Sequence, residues 1–170
     1  MPESHRNPHR ILFNLFFMLY LLTLAYFLFR TRYSTRSFSL VPFRAIWTYL
    51  TDKDPTLRAF ALSGMLRGIG LFMPMGVYFM TLRRRKRPLR CVVQIMLVSA
   101  AAELIQYFTQ TGVADVDDVL LSGLGAYLGT RIYRALLSVF GSHGDVRYAV
   151  SLLAPVAAVL FFLILRVCSA

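Results

Sequence analysis

Glu103, Asp115, Asp117 and Asp118 stand within SAAAELIQYFTQTGVADVDDVLLSGLGAYLG, residues 99–129, and are four of the eight acidic residues in a chain of net charge +11. The stretch contains no Lys or Arg. Ser99, Glu103, Gln106 and Gln110 recur at intervals of four, three and four, so on a helix they form one polar stripe. At 1.5 Å per residue, Glu103 lies roughly 10 Å along the axis from Gln110, inside an apolar run. A carboxylate in such a place is neutralised unless a cation or hydrogen-bond donors hold it. Arg67, in the middle of another apolar run, is the natural partner. Such a pair either marks a functional site, with Glu103 as general acid or base, or is a buried pair that only fixes helix packing.

The turn after the stripe concentrates the remaining acid. Gly112 can end one helix, and Asp115 or Asp117 can cap the next, where backbone donors and the helix dipole favour an anion. Three aspartates in four positions exceed what a cap needs. Asp115 and Asp118 share a helix face that Ser122 continues, and such oxygen ligands suit Mg²⁺ or Ca²⁺ better than zinc. Asp115 and Asp118 are therefore the candidate metal ligands and, with Glu103, the candidate catalytic groups. No His or Cys stands near them, so zinc chemistry has no basis here. Further along, Gly125 and Gly129 repeat a small residue every four positions, which lets helices approach closely.

The elements that must position these groups are apolar helices. Hydrophobic residues make up 57% of the 170-residue chain and charged residues 16%, against roughly 25% charge in an ordinary soluble domain. Runs of about 20 apolar residues match the hydrocarbon thickness of a bilayer. The expected class is an all-α, polytopic helical membrane bundle of about five transmembrane helices, with a re-entrant or interfacial segment after the first. The expected spans are residues 11–29, 59–80, 91–110, about 116–140 and 148–168. The first run is too long for a cleaved signal core and is taken as a retained span. Cys91 and Cys168 have no metal or redox spacing and are taken as small apolar residues. The basic excess flanks apolar runs, so it fits orientation in a membrane and not nucleic acid.

Topology follows from charge. Residues 83–90 read RRRKRPLR, six basic residues in eight positions, and belong on the cytoplasmic side, where they could also touch anionic lipid heads. That places the N-terminus inside and the acidic turn at 110–118 outside. The loop at 30–58 then falls outside with six basic residues of its own, against the charge rule. Its apolar patch, residues 40–50, with Trp47 and Tyr49, has the character of a segment at headgroup level. In the second span, Gly64 and Gly68 suit close packing, whereas Pro74 and Gly76 predict a kinked or broken helix.

Glu103-Leu104-Ile105-Gln106, Asp115-Val116-Asp117-Asp118-Val119-Leu120-Leu121 and Gly125-Ala126-Tyr127-Leu128-Gly129 together resemble the signature of VanZ-like membrane proteins. Phe72-Met73-Pro74-Met75-Gly76 is similar to that family's Phe-x-Pro-x-Gly element, and Val41-Pro42-Phe43 to its Pro-Phe element after the first span. The resemblance covers about residues 11–140, the expected VanZ-like domain, and leaves residues 148–168 as an additional C-terminal helix. The family often has Arg where this chain has Gly112-Val113-Ala114, and Asn where it has Ser122 and Gly68. What the resemblance implies is a multi-pass protein of the bacterial cytoplasmic membrane with a role in the cell envelope. The family is named for a member associated with resistance to the glycopeptide teicoplanin.

Three functions fit these residues. The first is a non-enzymatic envelope protein whose polar groove binds a membrane lipid, a lipid-linked envelope precursor or another partner through Arg67, Pro74, Glu103, Gln106, Gln110, Asp117 and Ser122. The second is an enzyme acting on a lipid-linked phosphate or glycan, with a divalent metal at the Asp cluster. An ion-coupled transporter is the third, and it lacks the internal repeat such proteins usually show.

Overall fold

The computed structural model describes residues 8–29, 38–39, 41–83, 87–109 and 114–168. Six helices follow in order: α1 (Pro8–Phe29), α2 (Arg44–Thr51), α3 (Pro55–Leu82), α4 (Pro88–Thr109), α5 (Val116–Phe140) and α6 (His143–Cys168). The chain folds as an all-helical bundle, as its apolar runs predict. Among the described residues, α1 from Ile11, α3 and α4 are long and apolar enough to cross a membrane. The expected total of about five spans therefore rests, for α5 and α6, on their length and their place in the bundle. Two residues on either side of the helices add a minimal parallel pairing, β1 (Phe38–Ser39) with β2 (Ala114–Asp115). Two residues are too few for an alternating pattern, which is why the sequence shows no strand.

Contacts fix the direction of each helix. Gly68 meets Leu121, Gly125 meets the Ile69 backbone and Gly129 that of Met73, so α3 and α5 run parallel. Gly123 meets Met96 and Asp115 meets Glu103, so α4 runs antiparallel to α5. Phe13 lies against Tyr78 and the Tyr20 hydroxyl bonds the Leu71 carbonyl, so α1 opposes α3. The bundle thus has two distinct ends. One gathers the start of α1, the α3–α4 connection and the α5–α6 junction, with Arg83, Arg87, Arg90, Arg131, Arg134 and Arg147. The other gathers the end of α1, α2, the start of α3 and the α4–α5 turn with its acid. The middle of the basic run, like Gly112, lies outside the described residues.

The core is built on glycine. A Cβ at Gly125 would overlap the Ile69 carbonyl, and one at Gly129 the Met73 carbonyl. A side chain at either position would therefore push α3 and α5 apart. The other predicted pair behaves differently: Gly68 packs on Leu121, but Gly64 meets only Arg67 of its own helix. Around this contact Tyr78, Ile95, Ala126 and Val146 are shielded from the surroundings. The outward faces of α1 and α4 carry Leu15, Leu22, Leu97 and Phe108, exposed as a lipid-facing surface requires.

Pro74 does not break its helix. α3 runs unbroken from Pro55 to Leu82 with Pro74 inside it. Proline removes one donor and crowds the preceding turn. Here the Tyr20 hydroxyl donates to the Leu71 carbonyl at 2.6 Å and accepts from the Met75 N–H. A side chain from α1 thus satisfies backbone groups beside the proline, as the bilayer interior demands. Of the expected kink or break, the break does not occur: the helix is continuous.

Candidate functional site

The acidic end is assembled from three elements. α4 contributes Glu103 and Gln106 from its buried face. The turn brings Asp115, and the first turn of α5 brings Asp117 and Asp118. Asp115 caps α5: its side chain accepts from the Asp117 N–H at 2.9 Å. Its own N–H donates to the Glu103 carboxylate at 3.2 Å. Glu103 is thus tied to the turn that follows its own helix, and both carboxylates stabilise backbone donors that would otherwise be left unmet.

Asp117 reaches further. It is 5% exposed, and its carboxylate accepts the Phe43 N–H from the segment before α2. Phe43 sits at φ 62°, in the left-handed region, as the residue before α2. A bulky aromatic residue adopts that conformation only when its surroundings hold it. The bond to a buried carboxylate supplies that hold. Gln106, also buried, donates from Nε2 to the Leu28 carbonyl at the end of α1. The stripe therefore ties the end of α1 and the segment before α2 to the α4–α5 hairpin.

The described part of the basic loop brings β1 and Arg44 beside this acid. β1 pairs with the turn, Ser39 opposite Asp115. The Arg44 guanidinium is near enough to Asp115 to favour its charged form. Burial nevertheless dominates and pushes the Asp115 carboxyl above its ordinary range; the Asp117 N–H bond opposes this, the charges of Asp118 and Asp117 add to it, and Arg44 opposes it. Arg44 and the Phe43 N–H are the contributors that motif reading passed over. The loop's charge was the available signal, because cations on the unexpected side need anions beside them.

The predicted residues separate into two groups. Glu103, Gln106, Asp115 and Asp117 come together. Ser122 is fully buried but bonds the Val119 carbonyl of its own helix at 2.7 Å, and Pro74 lies deep in α3. Gln110 lies outside the described residues. Arg67 is partly buried on α3. Because Gly68 is level with Leu121 and Glu103 with Asp115, Arg67 sits more than a helical turn deeper than Glu103. Glu103 bonds the Asp115 N–H, and the Arg67 guanidinium lies beside Gly64, one helical turn nearer the acidic end than its own Cα. Among the described residues, no three His, Cys, Asp or Glu side chains could hold a metal ion together. One Asp115 oxygen accepts the Asp117 N–H.

The chain matches the family model described as VanZ/LLP1 over residues 12–138. It belongs to the VanZ/LLP1 family. The matched segment runs from α1 nearly to the end of α5, so it includes both the glycine contact and the acidic end, while α6 lies beyond it. No curated protein and no solved structure is significantly similar to the chain. Apolar helices and family together make this a VanZ/LLP1 membrane protein.

Proposed function

We propose that this VanZ/LLP1 protein works in the cell envelope without chemistry of its own, by holding the headgroup of a lipid-linked envelope precursor at the acidic end. One observation carries the reading. Glu103 and Asp115 each accept a backbone N–H, and Asp117 fixes the start of α2 beside them, with Phe43, Trp47 and Leu50 exposed at 58%, 68% and 68%. Trp beside Arg44 is the composition expected at headgroup level. With the basic end in the cytoplasm, this end faces the outer leaflet of the bacterial inner membrane, where such precursors and teicoplanin meet. Sequestering a precursor there would modulate glycopeptide susceptibility.

Trp47 is the single tryptophan of the chain and serves as its own reporter. Purified protein in nanodiscs is titrated with a lipid-linked precursor, then with a neutral lipid of equal chain length, while Trp47 emission is followed. A saturable change with the precursor alone is expected, together with recovery of intact precursor. Identical responses to both lipids would remove the binding reading, and release of phosphate or glycan would replace it with the enzymatic one. In cells, Glu103→Gln at normal expression with unaltered teicoplanin susceptibility would reduce the stripe to a purely structural role.

A further inference from the structure

At the basic end, the junction of α5 and α6 brings three polar side chains together. Tyr133, buried on α5, has its hydroxyl 2.8 Å from Nδ1 of His143, the first residue of α6. The two rings lie nearly parallel, 10° apart with centres at 6.3 Å. Arg147 follows His143 by four residues, so the two share one face of α6. A helical side chain also leans back over the turn before it, here the turn of His143. The Arg147 charge acts on the Tyr133 hydroxyl, so both residues of that face meet the same tyrosine. The guanidinium is held over the Phe13 ring of α1, 5.5 Å from its centre. Arg147 is partly exposed, while its Nε is shut from solvent with no hydrogen-bond partner among the described residues.

A cation beside a phenol polarises its O–H, so the Tyr133 hydroxyl donates to Nδ1. The other ring nitrogen of His143, Nε2, then carries the proton, and His143 is exposed. An imidazole N–H and a guanidinium are thus presented one helical turn apart. Asp145 does not stand between them: it is two residues from each and so lies off their face. What two such donors fit is one anion with several oxygens, and phosphate is the group a guanidinium grips best. Arg131 and Arg134, on either side of Tyr133, are exposed, as at the level where basic sites between membrane helices take anionic heads. Beside Arg147, the exposed Tyr148, Leu152 and Val156 continue along α6 every four residues, an apolar track for an acyl chain. A phospholipid supplies both parts, whereas a soluble phosphate supplies only the first. Two of the three residues stand on α6, beyond the family segment at 12–138.

We propose that His143 and Arg147 bind the phosphate of an anionic phospholipid at the α5–α6 junction, with Tyr133 positioning His143. The site is separate from the acidic end and does not depend on the role proposed there. The test is native mass spectrometry of the full chain released from detergent with phosphatidic acid, or with diacylglycerol of the same chains. Phosphatidic acid should give bound adducts that diacylglycerol does not. Arg147→Gln should weaken them about tenfold or more, and His143→Ala about fivefold. Arg131→Gln removes the same charge from the side of α5 away from Tyr133 and should leave them nearly unchanged. Tyr133→Phe should weaken binding about threefold, yet do nothing once His143 is alanine, because it acts through that ring. His143 is exposed, so His143→Ala keeps the fold and decides the matter if Arg147→Gln does not express. Equal adducts with diacylglycerol, equal losses in Arg131→Gln and Arg147→Gln, or undiminished binding in His143→Ala would overturn the proposal. Loss of the adducts to an equal concentration of inorganic phosphate would overturn the lipid as occupant.

Discussion

The two ends of the bundle treat buried polarity in opposite ways. At the acidic end, Glu103, Asp115 and Asp117 each accept a backbone N–H, and the acceptors are used to hold a loop, a turn and a helix start. At the basic end, the Tyr78 hydroxyl and Arg147 Nε are donors without acceptors among the described residues. The first end uses its acceptors within the chain to hold the start of α2 beside the proposed headgroup site, whereas the second leaves two donors over. The contrast shows that the same packing forces can use buried polarity for a frame at one end and leave it unused at the other.

Gly129 lies between the ends, and its replacement should disturb both. Gly129→Val would press a side chain into the Met73 carbonyl and should cost more than about 3 kcal/mol, seen as loss of the folded peak in size-exclusion chromatography. Asp117→Ala isolates the acidic end. It removes the acceptor of the Phe43 N–H and should cost about 2 kcal/mol, with α2 becoming sensitive to limited proteolysis while α6 stays protected. If α6 became sensitive too, the ends would not be separate units. Asp115→Ala should lose about 1 kcal/mol through the cap, and Asp115→Asn should keep most of it.

The pH dependence of that same residue sharpens the comparison. Burial raises the Asp115 carboxyl in the folded state, so the folded chain holds a proton that the unfolded chain has already released. Stability should therefore fall as pH rises from the ordinary carboxylate range through the raised value, then stay level. Asp115→Asn should flatten that part of the melting-temperature curve, and an unchanged slope would mean another group titrates there. The smallest effect belongs to the basic end: Tyr78→Phe should leave the melting temperature equal or slightly higher, because no bond is lost.

Much of the fold is legible in the sequence because each signal is local. Apolar runs mark α1, α3 and α4, and the glycine spacing at Gly125 and Gly129 marks the tightest contact. The break that Pro74 allowed does not occur, and Tyr20, whose hydroxyl bonds the Leu71 carbonyl beside it, is remote in sequence. The acidic stripe was visible as a stripe, but its partners are main-chain groups of Phe43, Asp115 and Leu28. Every residue except proline carries such an N–H and every residue such a carbonyl, so no residue type announces them.

By itself, the sequence determined a helical membrane bundle, its family, and the gathering of acid at one end and base at the other. These follow from composition and short-range spacing, which survive without knowledge of contacts. Only the tertiary structure decided that Glu103 is bonded to the Asp115 backbone, that Phe43 and Arg44 meet the acid, and that Tyr78 is buried against Phe13. Those outcomes depend on which groups separated by tens of residues meet at a given depth, and the packing of helices sets that depth.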